Sequence, residues 1–186
     1  MGIVALVAGS AGVFLGLLFG GLYLGIRSLG LTVPTRYVSL QEVLDVEVQG
    51  AEAAPVEDIR DWAGLPLRGA EEAKRKLFWF PGARRPALVA GIFWPDPTGA
   101  RRFWGDFYAR TVSYVRKKSF RNSLWEPRFI TGMYSGEPRY DITAWQGGQW
   151  FFYVGVPVEV EAHGQRKVLL REAVLDRIRR LAGGST

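Results

Sequence analysis

Polar and apolar positions divide the chain in two. Residues 1–26 carry no charged side chain, and all 42 Lys, Arg, Asp and Glu residues follow Ile26. Residues 3–26 contain only apolar side chains, Gly, Ser10 and Tyr23. A helix of that length rises about 36 Å, enough to cross a hydrocarbon core of about 30 Å with some tilt. A cleaved signal peptide would instead need a basic start, an apolar core of roughly 7–15 residues and a small-residue cleavage site. No Lys or Arg precedes this run, the run is too long, and residues 24–28 do not form an A-x-A site. The pattern therefore predicts a retained single-pass membrane anchor over residues 1–26. Met1-Gly2 opens a myristoylation pattern, but Leu6 stands where that pattern requires Ser or Thr.

Within this segment Ala8, Gly12, Gly16 and Gly20 recur every four residues and fall on one helix face. Lipid gives helices no hydrophobic reason to associate, so close backbone approach across small residues becomes a main source of contact. The spacing predicts packing against another transmembrane helix, in a homo- or hetero-oligomer.

After residue 26 the periods shorten. Ser39-Leu40-Gln41-Glu42 has the form of a capping box and predicts a short helix over 40–46. Pro55 is placed to open a second helix ending near Gly64, and 69–76 would add another turn or two. The apolar runs 77–80 and 87–94 are bounded by Pro81-Gly82 and Pro95 and predict strands. From 99 to 118, Phe103, Trp104, Phe107, Tyr108, Val112, Tyr114 and Val115 share a broad face at helical spacing, with Lys117 and Lys118 at the helix end. Strands follow over 128–134, 139–145 and 150–161, the last with Trp150, Phe152, Val154, Val156, Val158 and Val160 on one face. A turn at 162–165, a strand over 166–170 and a helix over 171–181 complete the chain.

Consecutive strands joined by short turns and flanked by helices imply an α+β fold: one domain with a mainly antiparallel sheet packed against helices, after the N-terminal transmembrane helix. The domain boundaries read as a 1–26 anchor, a 27–54 juxtamembrane connector with a short helix, and a 55–186 soluble domain.

Charge adds a polarity to this plan. Residues 37–66 hold seven acids against Arg60, a balance of −6, whereas residues 67–186 hold 21 bases against 11 acids, a balance of +10. The basic surplus favours anionic partners: membrane lipid or an acidic protein surface. It concentrates in Arg101, Arg102, Arg110, Arg116, Lys117, Lys118 and Arg121, against Asp106 alone. The interleaved aromatics have helical spacing and serve better as a buried face than as a base-stacking platform, so nucleic acid is not an expected partner. Near anionic lipid each such base is worth about 1 kcal/mol. Arg27 and Arg36, close after the anchor, favour a cytoplasmic domain.

Several chemistries are excluded. The chain has no cysteine, hence no disulfide, thiolate metal site or cysteine nucleophile. Its only histidine, His163, falls in the predicted turn and reads as a solvated turn residue. No phosphate-cradling glycine loop or nucleophile elbow occurs, and no metal or cofactor is implied. Asp141, Glu159 and Glu161 lie on neighbouring predicted strands and could pair as acid and base, but alternation turns the glutamates toward solvent. The seven tryptophans suit core packing better than ligand stacking.

These features point to a non-enzymatic, membrane-anchored assembly or scaffold subunit. The layout is similar, in architecture alone, to membrane-anchored assembly proteins of secretion, conjugation or virion-like machinery. The competing expectation is a membrane-tethered enzyme or ligand-binding domain with carboxylates and tryptophans around one pocket.

Overall fold

The computed structural model describes residues 30–121 and 126–182, with only the backbone over 117–121. The predicted anchor, including Ala8, Gly12, Gly16 and Gly20, lies outside the described residues. Among the described residues no helix is long and apolar enough to cross a membrane.

Residues 32–186 form one compact unit of the α+β class. Its elements are α1 (Leu40–Leu44), β1 (Glu52–Ala53), β2 (Glu57–Asp58), β3 (Asp61–Trp62), β4 (Leu65–Pro66), β5 (Glu72–Trp79), β6 (Ala87–Phe93), α2 (Pro97–Thr111), β7 (Val115–Arg121), β8 (Arg128–Tyr134), β9 (Tyr140–Gly147), β10 (Trp150–Pro157) and α3 (His163–Ala182). The main sheet runs β1-β5-β6-β10-β9-β8-β7 with β2 beside β1 on the outer edge of β5, and each pairing is antiparallel.

Helices cover both faces of the sheet. On one, α1 and α3 bury Leu40, Val43, Leu44, Leu170, Val174, Leu175 and Ile178. Each such side chain contributes about 1.5–3 kcal/mol on leaving water. On the other, Phe103, Trp104 and Phe107 of α2 pack with Ile92, Ile130, Ile142, Ala144 and Phe151 from the sheet. The central strand β10 is therefore buried on both faces, not only on the Trp150-Phe152-Val154 side. Trp94, Trp104, Trp145 and Trp150 are fully buried. The indole of Trp94 donates to the Arg68 carbonyl at 3.1 Å, and that of Trp145 donates to the Thr32 carbonyl at 2.8 Å.

The helix predicted over 40–46 is present as α1, capped by Ser39, whose hydroxyl accepts from the Gln41 amide at 3.2 Å. Glu72 of β5 is an acidic partner at this end, accepting from the Leu40 amide at 2.9 Å. The predicted connector thus supplies buried residues to the domain.

Four predicted elements are corrected. No helix follows Pro55. Ala63 and Gly64 both adopt positive φ, 48° and 76°, and this two-residue turn closes the hairpin of β3 and β4, while Glu57 and Asp58 pair with Arg75 and Lys74 across strands. Residues 72–76 extend β5 instead of forming a helical turn. The helix α2 stops at Thr111, because Val115 pairs with Tyr134 and the chain continues as edge strand β7. Lys117 and Lys118 consequently lie on β7, away from any helix end. Finally, 166–170 belongs to α3: burial of Lys167, Leu170, Val174, Leu175 and Ile178 follows the helical period, leaving Val168 and Leu169 exposed.

Candidate ligand-binding cleft

The α2 helix is 15 residues long, about 22 Å, too short to cover the whole sheet face it packs on. At its C-terminal end that face opens into a cleft of about 1050 Å³. The floor comes from five strands, with Arg75 of β5, Leu88 of β6, Tyr153 of β10, Tyr140 and Ile142 of β9, and Tyr134 of β8. One wall is the β3–β4 hairpin with Trp62 and Leu65, and the other is the last turns of α2 with Phe107, Arg110 and Thr111.

Strand register explains the depression. Tyr153 stands between Ala144 and Ala90, and Ile142 stands between Gly132 and Gly155. Small residues flank large ones along both rows, so space remains above them. The Tyr153 ring leans over Gly155, where a Cβ would come within 2.7 Å of the Tyr153 hydroxyl oxygen. Trp62 meets the Tyr153 ring edge to face at 4.8 Å and Phe151 at 6.0 Å, while Tyr114 and Tyr134 lie 5.7 Å apart.

Two of the phenols are held in the neutral form by their surroundings. Burial pushes Tyr153 well above the usual tyrosine range, and nearby Tyr140 and Tyr134 act in the same direction. Burial also raises Tyr140, helped by the Glu159 charge and opposed by Arg85. The Tyr140 hydroxyl donates to the Pro86 carbonyl at 3.2 Å. The Tyr153 hydroxyl has no hydrogen-bond partner among the described residues and can donate to a guest.

Charges around the cleft are largely paired. Asp58 meets Lys74 at 2.6 Å, Arg75 meets Glu57 at 2.6 Å and Glu137 meets Arg139 at 3.5 Å. Asp61 accepts from the Gly64 amide at 3.4 Å. Among the described residues, the guanidinium groups of Arg60 and Arg110 have neither an ion pair nor a hydrogen bond.

The predicted basic set is divided between two elements. Arg101 and Arg102 are exposed in the first turns of α2, with Arg101 3.5 Å from Glu126; Arg110 lines the cleft. Arg116 is exposed on β7, and Lys117, Lys118 and Arg121 follow on that strand.

The carboxylates that could have formed an acid–base pair do not converge. Asp141 is buried on the sheet face opposite the cleft, whereas Glu159 and Glu161 are exposed. Asp141 instead accepts from Lys167, itself buried, and its other oxygen lies 3.2 Å from Nδ1 of His163. Lys167 also donates to the Thr131 hydroxyl at 3.2 Å and to the Ile142 carbonyl at 3.4 Å. His163 is therefore not a solvated turn residue: it begins α3 and is held by a buried carboxylate. Among the described residues no three acidic or histidine side chains converge as metal ligands would.

Sequence reasoning found Arg110 but missed Arg60, Trp62, Tyr134, Tyr140 and Tyr153 as a group. Its one usable signal was the Tyr153-Val154-Gly155 step, a ring beside a missing side chain on the same strand face. Compared with known proteins, the chain matches no family model, no curated protein and no solved structure.

Proposed function

We propose that the chain is a membrane-tethered ligand-binding protein, non-enzymatic, whose cleft between α2, the β3–β4 hairpin and the sheet takes a small ring-bearing molecule. The cleft carries this reading. Its volume of about 1050 Å³ is just above the roughly 300–1,000 Å³ common for small-molecule sites. Aromatic walls with a few convergent polar groups are the usual composition of such sites. The titratable groups lining it are arginines, carboxylates and tyrosines; the sole histidine belongs to the other face. A binding role suits this set, since Asp58, Arg75 and Glu137 are each already engaged in an ion pair.

Tethering rests on the apolar run 3–26, and the glycine face of Ala8, Gly12, Gly16 and Gly20 suits a second transmembrane helix. Arg27 and Arg36 favour a cytoplasmic domain, where exposed Arg101, Arg102 and Arg116 could meet anionic lipid.

The test uses the full chain in lipid nanodiscs, with empty nanodiscs as the blank, and 2-naphthamide as a neutral, water-soluble ring probe. Ligand-observed saturation-transfer NMR should report binding. Ala109→Trp and Ser113→Trp, which add bulk at exposed positions lining the cleft, should each abolish it. Binding that is absent in the unmodified chain, or that survives both substitutions, would refute the cleft as the site.

A further inference from the structure

Resting on that reading of the cleft, we propose that its ligand is an aromatic anion, with the ring body against Trp62 and the tyrosines and the carboxylate or sulfonate head on Arg60 and Arg110. Most charged groups at the cleft are already engaged. Asp58, Arg75 and Glu137 are all satisfied by oppositely charged neighbours, at 2.6, 2.6 and 3.5 Å. Asp61 is engaged in the hairpin turn. Among the charged groups lining the cleft, that leaves two guanidinium groups without partners among the described residues, on separate elements.

Their placement suits a head group. Arg60 precedes β3, in the segment that leads into the hairpin wall, and Arg110 is in the last turn of α2 on the facing wall. A Cβ on Gly64 would lie 3.9 Å from an Arg110 guanidinium nitrogen, so Arg110 extends across toward the hairpin turn. Arg110 also complements the carbonyl end of α2, which is a sufficient structural reason for a base there. Arg60 has no helix end to complement, and a pair of arginines offers planar, bidentate donors that a single helix-capping base does not.

The guest's body is specified as rings by the walls. Trp62 and Tyr153 already meet edge to face, Tyr114 and Tyr134 do so at a tilt, and inserted rings can extend this arrangement. The Tyr153 hydroxyl, kept protonated by its burial, adds one neutral donor to the floor and no negative charge that would repel an anion.

The experiment compares 2-naphthoate with 2-naphthamide, which share a ring system and differ in charge, on the full chain in nanodiscs. Charge-assisted hydrogen bonds should make naphthoate bind roughly tenfold tighter or better, the equivalent of about 1.4 kcal/mol. The double substitution Arg60→Met and Arg110→Met should erase that preference by weakening naphthoate far more than naphthamide, and an unchanged thermal unfolding transition of the double variant shows that these exposed substitutions preserve the fold. Arg84→Met, a base in the β5–β6 turn outside the cleft lining, should leave the preference intact. Equal affinity of the two probes in the unmodified chain would overturn anion selection while leaving the cleft as a binding site. Failure of both probes to bind would instead remove the binding reading itself. Equal loss of both probes in the double variant would overturn the assignment of these arginines to the head group. Octanoate displacing naphthoate as readily as unlabelled naphthoate does would overturn the aromatic specification.

Discussion

Replacing Lys167 by Met should be among the most damaging single changes on the face opposite the cleft. Lys167 and Asp141 are only 9% and 7% exposed, and the lysine gives hydrogen bonds to Asp141, Thr131 and the Ile142 carbonyl. Removing the cation leaves the Asp141 carboxylate with His163 as its remaining partner, and stranding a buried charge in this way costs about 3–5 kcal/mol. Asp141→Asn keeps an amide oxygen in place but leaves the buried Lys167 ammonium with only neutral acceptors, Thr131 and the Ile142 carbonyl, so it too strands a charge and should cost about 3–5 kcal/mol. The double variant Asp141→Leu with Lys167→Met removes both charges together. Thr131 retains the Ile142 carbonyl at 3.0 Å and Thr143 at 2.8 Å, and His163 is partly solvated, so the double variant should be more stable than Lys167→Met alone. Near-UV circular dichroism during thermal unfolding reads the effect on the full chain. For a domain of this size about 1 kcal/mol moves Tm by roughly 2–4 °C, so Lys167→Met should lower it by about 6–20 °C. A Lys167→Met shift under about 3 °C, or a double variant no more stable than Lys167→Met alone, would show that the pair is not the coupled buried unit described.

Two further expectations concern other parts of the chain. Because burial raises the Tyr153 phenol above the ordinary value of about 10, the unfolded chain ionises first; the stabilisation is complete below that value and is lost as pH rises toward the folded one. Alkaline unfolding followed by tyrosinate absorbance should therefore show Tyr153 ionising only with loss of structure, and Tyr153→Phe should make stability less sensitive to pH above about 10; an early, structure-preserving ionisation of every tyrosine would contradict this. In the proposed anchor, Gly16→Ile should abolish crosslinking between membrane segments of the full chain while preserving insertion, and Leu18→Ile, about 200° around the helix, should leave it intact; identical behaviour of the two would reduce the glycines to composition.

Local patterns in the sequence located elements whose partners are close in the chain or whose period is strong. The Ser39 cap is such a case: its hydroxyl accepts from the Gln41 amide at 3.2 Å and starts α1 at Leu40. The start of α2 lies two residues before the expected 99, at Pro97, where the Asp96 carboxylate accepts from the Thr98 amide at 2.9 Å and is thereby held below the usual carboxylate range, with Arg102 and Arg101 nearby acting in the same direction. Where the helix would end was not legible, since Val112, Tyr114 and Val115 fit the helical stripe as well as the strand that Tyr134 selects by pairing. Residues 55–64 fail similarly. Val56, Ile59 and Trp62 mimic a helix face, but cross-strand ion pairs of Glu57 with Arg75 and Asp58 with Lys74, 18 and 16 residues away, favour the extended state.

The cleft is harder to read for a different physical reason: it is made by side chains that are missing. Ala90, Ala144, Gly132 and Gly155 come from three hairpin-linked strands and one distant strand, and none is unusual by itself. Only register places Ala90 and Ala144 on either side of Tyr153, and only the length of α2 leaves that part of the face uncovered. The free arginines were equally hidden, because a base counts as unpaired only once every nearby acid has been assigned. Arg75 would have looked as promising as Arg60 until Glu57 was seen at 2.6 Å. The face opposite shows the converse. There α1 and α3 pack on the sheet, and the buried charges among the described residues are paired, Asp141 with Lys167 and His163, and Lys76 with Asp45 at 3.1 Å. The proposed ligand site lies on the α2 face, where spare volume and unpaired cations occur together.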